Sequence, residues 1–583
     1  MKLKKKSASI LICFLASLPM LSTGAMVHGA DACACSADIR GDLNQDGNLD
    51  TLDAVLLAHY LSSNIDLPAA ECADVTVDCR LDIRDLMTYM GFLGEVVEGS
   101  HAGRFIAYEG SRTCLPCHET ETYEVHASLH YQWQAPTPDV VGEEGGFSGK
   151  YGTINDFCTY PNFNWIGKMT NVYGQQVDGG CAKCHIGLGK HPTPEATEDQ
   201  LENIDCLVCH SDAYKRTVGT WDGELRFVPD HEKMTVSLLQ AASDIRRTPS
   251  MDACLNCHTK SGGGNNFKRG DLEEAHRSAT REFDVHMAAA AAGGAGLECV
   301  DCHFTEQHRI AGRGVDLRGR DLAADMSCEM CHSTAPHGNS RLDDHAARIN
   351  CTVCHIPDFA NVAPTDLHRD FSRPGELDPA TGLYEPHMLK AAHVQPAYGF
   401  YNGKSYFYDF GTAVQTGENG HVLMAGPQGD IKTAGARIYA FKRHTATQAV
   451  DPQGRLIPLK MGIVFQTGDT QAAIEAGADA IGWGYEGHTF VETERYMGLF
   501  HEVAPSEYTL QCTDCHGSAE RLDFTALGYT PLSLLDGKPL CASCHRDQSG
   551  AWGPDEYFTK VHQKHVDGKH IDCSKCHGFS SAY

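Results

Sequence analysis

The phrase Cys-x-x-Cys-His occurs ten times along this 583-residue chain. Two thiols at this spacing add to the vinyl groups of one haem, and the adjacent histidine reaches the iron as an axial ligand. Zinc also uses Cys-x-x-Cys, but it does not require a histidine directly after the second cysteine in every copy. The sequence therefore predicts ten covalent haem c groups. The attachment residues, in chain order, are Cys114, Cys117, His118; Cys181, Cys184, His185; Cys206, Cys209, His210; Cys254, Cys257, His258; Cys299, Cys302, His303; Cys328, Cys331, His332; Cys351, Cys354, His355; Cys512, Cys515, His516; Cys541, Cys544, His545; and Cys573, Cys576, His577.

A haem with two histidine ligands is a low-spin electron carrier without a substrate position. If most of the ten haems carry electrons, their irons need a second histidine ligand. The chain has 32 histidines, so many lie outside the motifs. The alternative for each one alone is a surface or hydrogen-bonding histidine, but their number in a haem-rich chain favours ligation. The predicted distal ligands are His126 or His130, His286, His308, His337, His345 and His501, with His562, His565 and His570 for the last two haems.

The N-terminus predicts export. Four lysines among the first six residues precede an apolar run from Ile10 to about Leu21 and then small residues. This pattern is typical of a signal peptide and is too short for a membrane span. No later segment has the length of a transmembrane helix. We expect a periplasmic or extracellular protein, where covalent haem attachment also takes place.

The charge excludes one class of partner. The net charge is −28, and nucleic acid would require a basic footprint instead. An acidic surface also repels anions at long range, so an anionic substrate needs a local positive pocket.

The fold class follows from the haems. Their apolar surfaces reduce the need for regular secondary structure, so we expect mainly short helices and loops wrapped around stacked haems. A few short strands are predicted in 356–511, from aromatic residues and glycine-containing turns. The predicted divisions are a signal peptide (1–30), a small all-α module without haem (31–98), a haem core (99–528) and a two-haem extension (529–583).

The small module has calcium-loop spacing, with oxygen ligands around a glycine at the sixth position. It resembles a dockerin, a duplicated loop–helix module that binds cohesins, and this resemblance implies calcium and a cohesin-type partner. In the second loop Cys79 replaces the glycine, which puts that site in doubt, and the alternative is an acidic solvated turn. Cys33, Cys35, Cys72 and Cys79 are candidates for disulfides. The predicted metal ligands are Asp42, Asn44, Asp46, Asn48, Asp50 and Asp53 in the first loop, and Asp74, Thr76, Asp78, Asp82 and Asp85 in the second.

Two further features stand outside the motifs. Cys158 is a lone cysteine, which is either a buried small hydrophobe or a reactive thiol. The segment Gly262-Gly-Gly-Asn-Asn-Phe-Lys268-Arg-Gly-Asp271 lets the backbone approach a cofactor, and Lys268 could bring an amine to a haem face. Its alternative is a flexible surface loop.

Over about 110–528 the chain resembles the octahaem tetrathionate reductase family of c-type cytochromes. The phrases that carry the resemblance include Asn155-Asp-Phe-Cys158, Asp205-Cys-Leu-Val-Cys-His210, the Gly262 to Asp271 loop and Val491-Glu-Thr-Glu494. The calcium module and the two terminal haem motifs depart from the eight-haem pattern.

The resemblance implies one special haem, with a lysine from elsewhere in the chain as its proximal ligand and its other face open to substrate. By position, the second motif matches that haem and Lys268 matches the lysine. If Lys268 is not the ligand, His185 would bind the iron. Asn155 and Cys158 fall where the family places an active-site amide and thiol. Cys158 would then attack a sulfur–sulfur bond or simply shape the pocket.

The expected activity is that of a respiratory reductase. A quinol-linked or small cytochrome donor would supply electrons, and a sulfur or nitrogen substrate (tetrathionate, nitrite or hydroxylamine) would accept them at the open haem. The competing class is a non-enzymatic conduit between periplasmic and outer partners, which the extra haems and the binding module suit. Hydroxylamine oxidation ranks last, because it needs a haem crosslinked to a tyrosine that no phrase singles out.

Overall fold

The computed structural model describes residues 41–43, 51–61, 72–75, 81, 83–93, 98–157, 159–221, 223–314, 316–324, 326–511, 514–515, 521–529, 534–535, 538–539, 560–561, 563–569 and 571. In this part of the chain no helix is long and apolar enough to cross a membrane. The chain divides into two compact units, Met1–Ala127 with Ile186–Ala253, and Ser128–His185 with Cys254–Tyr583. The domain boundaries expected from the sequence stay predictions.

The helices are short, as the sequence predicts. The α-helices are Thr51–Leu61, Ile83–Leu93, Ser111–His126, Leu129–Gln132, Glu198–Glu202, Leu207–His210, Leu238–Ser243, Met251–His258, Cys299–Cys302, Ser340–Ala346, Cys351–His355, Met461–Thr467 and Thr470–Ala480. The 3₁₀-helices are Pro161–Asn164, Cys181–Cys184, Glu274–Ser278, Ala290–Ala292, Cys328–Met330 and Ser506–Tyr508, and a π-helical turn spans Gln563–Asp567.

Small antiparallel hairpins connect several of these helices. They pair Gln134–Pro136 with Phe147–Gly149, Gly167–Thr170 with Gln176–Gly179, Arg216–Trp221 with Glu224–Pro229, Thr305–Glu306 with Arg309–Ile310, and Leu534–Leu535 with Lys538–Pro539.

A seven-stranded mixed sheet dominates the second unit. Its strands are β1 (Thr365–Asp378), β2 (Leu383–Ala391), β3 (Ala397–Tyr401), β4 (Ser405–Phe407), β5 (Val422–Pro427), β6 (Arg437–Val450) and β7 (Thr489–Gly498). The order is β2-β1-β6-β7-β5-β4, and β3 also pairs with β6. Pairs β1/β6 and β5/β7 are parallel, and the others are antiparallel.

The sheet is more extensive than the few short strands expected from the sequence, since β1 and β6 each have 14 residues. The reason is that the inward side chains of β6 are not uniformly apolar. Lys442, His444, Ala446 and Gln448 alternate along one face, and all are buried. Three polar residues in these positions hide the period-2 hydrophobic pattern that marks a half-buried strand.

A stability prediction follows from the close contact of helix Thr470–Ala480 with the chain at Pro458. A Cβ added at Gly477 would meet the Pro458 carbonyl oxygen. We expect Gly477→Ala to lower the free energy of unfolding by about 1–3 kcal/mol, because overpacking outweighs the gain in helix propensity. Chemical denaturation followed by circular dichroism tests this. Gly145→Ala, where nothing lies within 4 Å of the added Cβ, is the matched control, and equal midpoints for the two variants would contradict the prediction.

Candidate functional site

The attachment cysteines lie on single helical turns. The first seven motifs are described in full. The first lies inside helix Ser111–His126, and the others coincide with a short helix or its end, such as Cys181–Cys184 and Cys351–His355. One turn places residues three and four apart on the same side, so both thiols and the histidine can face one ligand. Of the eighth motif only Cys515 lies within the described residues. Cys512, His516 and the whole of motifs nine and ten (Cys541, Cys544, His545, Cys573, Cys576 and His577) lie outside them.

Thiols of different motifs lie side by side. In the first unit the Cys114 and Cys206 thiols form a hydrogen bond, which joins motifs one and three. In the second unit the same contact joins motifs four and five through Cys254 and Cys299. Cys328 and Cys351 likewise join motifs six and seven.

Further contacts join the remaining haem motifs of the second unit to one another. The Cys184 thiol donates to the Cys257 carbonyl at 4.0 Å, so motif two adjoins motif four. Burial and the nearby Cys331 thiol raise the pKa of Cys302, which places motifs five and six near each other. Tyr398 interacts with both Cys354 and Cys515, which links motifs seven and eight. These neighbours indicate the order 2–4–5–6–7–8, which was not derivable from the sequence.

Five motif histidines each face a second histidine ring at 6.0 to 6.3 Å between ring centroids. Two imidazoles bound to opposite sides of one metal ion are separated by roughly 6 Å, because each metal–nitrogen bond is about 2 Å and each centroid lies about 1 Å behind its nitrogen. The spacing therefore fits a bis-histidine haem in each pair. The pairs are His118 with His101, His258 with His130, His332 with His286, His303 with His501, and His355 with His337.

Four of these partners, His130, His286, His337 and His501, are among the predicted distal ligands. His101 is not, and no spacing signal distinguishes it from other histidines upstream of the first motif. His126 ends helix Ser111–His126, His308 lies in the turn after Thr305–Glu306, and His345 lies in helix Ser340–Ala346. His565 bonds to the Val561 carbonyl at 3.1 Å. The ligand roles of these four stay predictions, and His562 and His570 lie outside the described residues.

His185 of the second motif is held differently from other motif histidines. His210 and His303 direct Nδ1 to the backbone carbonyls of Arg246 and Ala311, which leaves Nε2 on the side away from that bond. In His185 it is Nε2 that contacts a backbone carbonyl, that of Tyr131, at 2.5 Å. Because Nε2 is the atom a motif histidine offers to iron, this posture does not suit ligation.

Aromatic rings fix the His185 imidazole in that posture. The rings of Tyr131, Trp133 and Trp165 have their centroids 4.9 to 5.7 Å from it, and the imidazole is fully buried. A buried imidazole packed by three rings cannot rotate without displacing them. A haem at the second motif would therefore need an axial ligand from elsewhere while His185 keeps this posture.

Lys268 is the residue that the resemblance assigns as this ligand. It lies on the Gly262 to Asp271 loop, which is ordered by hydrogen bonds from Lys268 N to Ser261 O and from Asn266 N to Thr259 O. Its side chain is 9 % exposed, and its ammonium has no hydrogen-bond or ion-pair partner among the described residues. Burial lowers the pKa of Lys268 to about 8, with Asp316 partly opposing that shift. A lowered pKa makes the neutral amine more accessible, and the neutral amine is the form of lysine that binds a metal ion.

A buried network of charged groups holds the segment that contains Asn155. Asp156 accepts hydrogen bonds from His444 Nδ1 at 2.6 Å and from Arg495 Nε at 2.5 Å. Burial alone would raise the pKa of Asp156, but Arg495 and His444 hold it well below its ordinary value. His444 and Arg495 are opposite each other across β6 and β7, so the sheet register brings both to the same carboxylate.

Arg369 joins the two loops that carry the predicted catalytic residues. It is paired with Asp366 at 2.5 Å and donates to the carbonyls of Phe157 and Gly262. Phe157 stacks on His444 at 4.1 Å, and the Lys268 ammonium lies 5.6 Å from its ring. Asn155 Oδ1 accepts from Phe157 N at 2.9 Å, so Asn155 and Lys268 both lie next to Phe157. Cys158 lies outside the described residues.

The calcium module is described only in part. Asp42, Asp53, Asp74 and Asp85, the first and last ligands of the two loops, are all buried, and Asp53 accepts from Leu43 N at 2.8 Å. Asn44, Asp46, Asn48, Asp50, Thr76, Asp78 and Asp82 lie outside the described residues. Within the residues the structure does describe, no group of three or more candidate ligands is assembled. Cys72 is disulfide-bonded. Calcium binding stays a prediction.

Comparisons with known proteins agree with the haem motifs. Residues 386–519 match the family model "Cytochrome c bacterial", and residues 253–333 match "Cytochrome c554 and c-prime". An uncharacterised protein of Archaeoglobus fulgidus is 34% identical over 247 residues, which cover 37% of this chain and 79% of that protein. The crystal structure of an octaheme cytochrome c from Shewanella oneidensis is similar with a TM-score of 0.56 and 28% identity, over 72% of this chain and 92% of that one.

Proposed function

Because the chain is a multihaem c-type cytochrome and belongs to the same family as the archaeal relative, we propose that it is an exported respiratory reductase with ten haems. Nine haems would serve as electron carriers, and the haem of the second motif would be open to substrate. The substrate would be a small sulfur or nitrogen compound such as tetrathionate, nitrite or hydroxylamine.

The observation that carries this proposal is the contrast between His185 and Lys268. The Nε2 atom of His185 is engaged by the Tyr131 carbonyl, whereas the buried Lys268 amine has no hydrogen-bond acceptor among the described residues. The haem, when bound, supplies stored electrons and one open iron position. Lys268 would bind on the proximal side, and Asn155 would orient the substrate on the other.

Two cations near Lys268 support an oxyanion substrate. Lys150, 4.4 Å from the Trp133 ring, and Arg495 both act electrostatically on Lys268, while the nearby acids are Asp156 and Asp316. Fixed positive groups in a site closed to water stabilise an anion far better than the same groups in solvent. Cys158 would act as a thiolate on a sulfur–sulfur bond or would shape the pocket, as the resemblance implies.

The test of this proposal is carbon monoxide uptake by the fully reduced, haem-replete protein, counted against total haem. We expect about one carbon monoxide per chain, since a single open iron is proposed. No uptake would contradict the reductase and favour the electron conduit.

The histidine pairs allow a second carbon monoxide measurement. We expect His101→Ala to raise carbon monoxide uptake by about one per chain, because it removes the partner ring of His118. The matched control is His421→Ala, which changes a half-buried histidine bonded within its own turn. Unchanged uptake in the His101 variant would show that this pair does not share an iron.

A further inference from the structure

A cavity of about 320 Å³ opens beside the haem-binding core of the second unit. The hairpin Gln134–Gly149 and the end of β4 enclose it, and its lining includes Ser148, Thr153, Arg318 and Phe407. The described motif cysteines and histidines are not among the lining residues. A space of this size accommodates a small ligand with several water molecules.

The cavity wall contains a buried cation with an unused donor. Arg318 is 6 % exposed and lies 3.7 Å from the Phe407 ring. Its Nη1 atom donates to Gly149 O and to Thr153 Oγ1, but its Nε atom is buried without a hydrogen-bond partner among the described residues. An unsatisfied guanidinium donor costs free energy, so it indicates a site for an acceptor that comes from outside the fold.

A second arginine near Phe407 is bonded to the candidate catalytic segment. Arg495 lies 5.8 Å from the Phe407 ring, and its Nη2 atom is also buried without a partner in the described part of the chain. Through its Nε atom Arg495 holds Asp156, next to Asn155. Phe407 therefore has two guanidinium groups near its ring, one in the cavity wall and one bonded to the candidate catalytic segment.

Acidic residues offset part of this charge. Asp316 acts on Arg318 and pairs with Arg495 at 3.0 Å. Glu143 and Asp409 line the cavity, but both are more exposed than Arg318, and Asp409 is on the surface. Solvent weakens the field of exposed charges far more than that of a buried one. Burial lowers the pKa of Arg318 to about 10, so the side chain still carries its proton at neutral pH.

We propose that this cavity is an anion-binding site that captures a small inorganic oxyanion at Arg318 and delivers it toward Arg495 and Asn155. Arg318 provides a buried guanidinium donor for an anion that reaches the cavity of a chain with net charge −28. The identification of this anion as the substrate rests on the proposed function. The binding of an anion in the cavity does not depend on that function. As candidate substrates, the anions nitrite and tetrathionate then rank above uncharged hydroxylamine.

The test measures equilibrium binding of nitrite, tetrathionate and sulfate to the oxidised holoprotein by calorimetry. We expect Arg318→Gln to weaken nitrite and tetrathionate binding by about tenfold or more, as for the loss of a charge-assisted hydrogen bond. Arg318→Lys should retain part of the affinity. Ser148→Leu, which fills the cavity and leaves Arg318 in place, should weaken binding as well.

Arg320→Gln is the matched control, because Arg320 pairs with Asp139 at 3.0 Å and does not line the cavity. Wild-type anion affinity in the Arg318→Gln protein would overturn the proposal. If that variant also had altered haem potentials, Arg318 would instead be assigned to a contact with a haem carboxylate. If anion binding depends on Arg318 but the protein reduces no oxyanion, the anion-binding site is supported and the proposed function is contradicted. In an active enzyme, Arg318→Gln should act mainly on KM.

Discussion

Replacing Lys268 with alanine is expected to lower the turnover number of the reductase by about 100-fold or more, because loss of an outer-sphere partner alone costs about 10–100-fold and this residue is proposed as a direct ligand. The Lys268 amine is buried and has no hydrogen-bond acceptor among the described residues, so its removal should break few structural contacts. Haem content and the spectra of the bis-histidine haems should be unchanged. The measurement is steady-state reduction of tetrathionate and nitrite with a dye donor, together with the electron paramagnetic resonance spectrum.

Two variants make the Lys268 result specific. Lys260→Ala changes the neighbouring loop lysine, which is exposed and forms an ion pair with Glu274 at 3.6 Å, and it should leave turnover near wild type. His185→Phe should keep the spectrum of the second-motif haem, since Nε2 of His185 is bonded to the Tyr131 carbonyl. If His185→Phe abolished turnover and Lys268→Ala did not, His185 would be the ligand.

Local features of the site could be predicted from the sequence because they depend on short spacing. The motif cysteines lie on single turns, as their three-residue separation requires. The Gly262 to Asp271 loop could be singled out for the same reason, and Gly262 does have a positive φ angle with Lys268 packed close to it. These are contacts within a few residues, which a pattern of residue types can encode.

The long-range features could not be predicted, because they depend on strand register. His303 and His501 form a pair although about half of the second unit separates them in sequence. His444 and Arg495 reach Asp156 only because β6 and β7 pair at those residues. The polar inward face of β6 also concealed the sheet itself. Neither Arg318 nor its cavity has a sequence signal, since a lone arginine is ordinarily exposed.

The second large effect is expected at Arg369. Arg369→Met should lower the free energy of unfolding by about 3–5 kcal/mol, because it leaves Asp366 buried without its main charge partner. Arg369 also donates to the carbonyls of Phe157 and Gly262, so both loops of the candidate site lose their common support. We therefore expect lower turnover in the fraction that remains folded. Urea denaturation followed by circular dichroism gives the stability.

The ion pair and the loop contacts contribute separately to this effect, and a double variant distinguishes them. Arg369→Met with Asp366→Leu removes both charges, and replacing a buried pair with apolar groups is often neutral. The double variant should therefore recover part of the lost stability but not the turnover, since the two carbonyls still lack their donor. Arg373→Met is the matched control on the same strand, because its pair with Asp370 has the same spacing but Arg373 is 61% exposed, and its cost should stay below about 1 kcal/mol. Full recovery of turnover in the double variant would show that Arg369 acts only through charge, and that the two loops are positioned by other contacts.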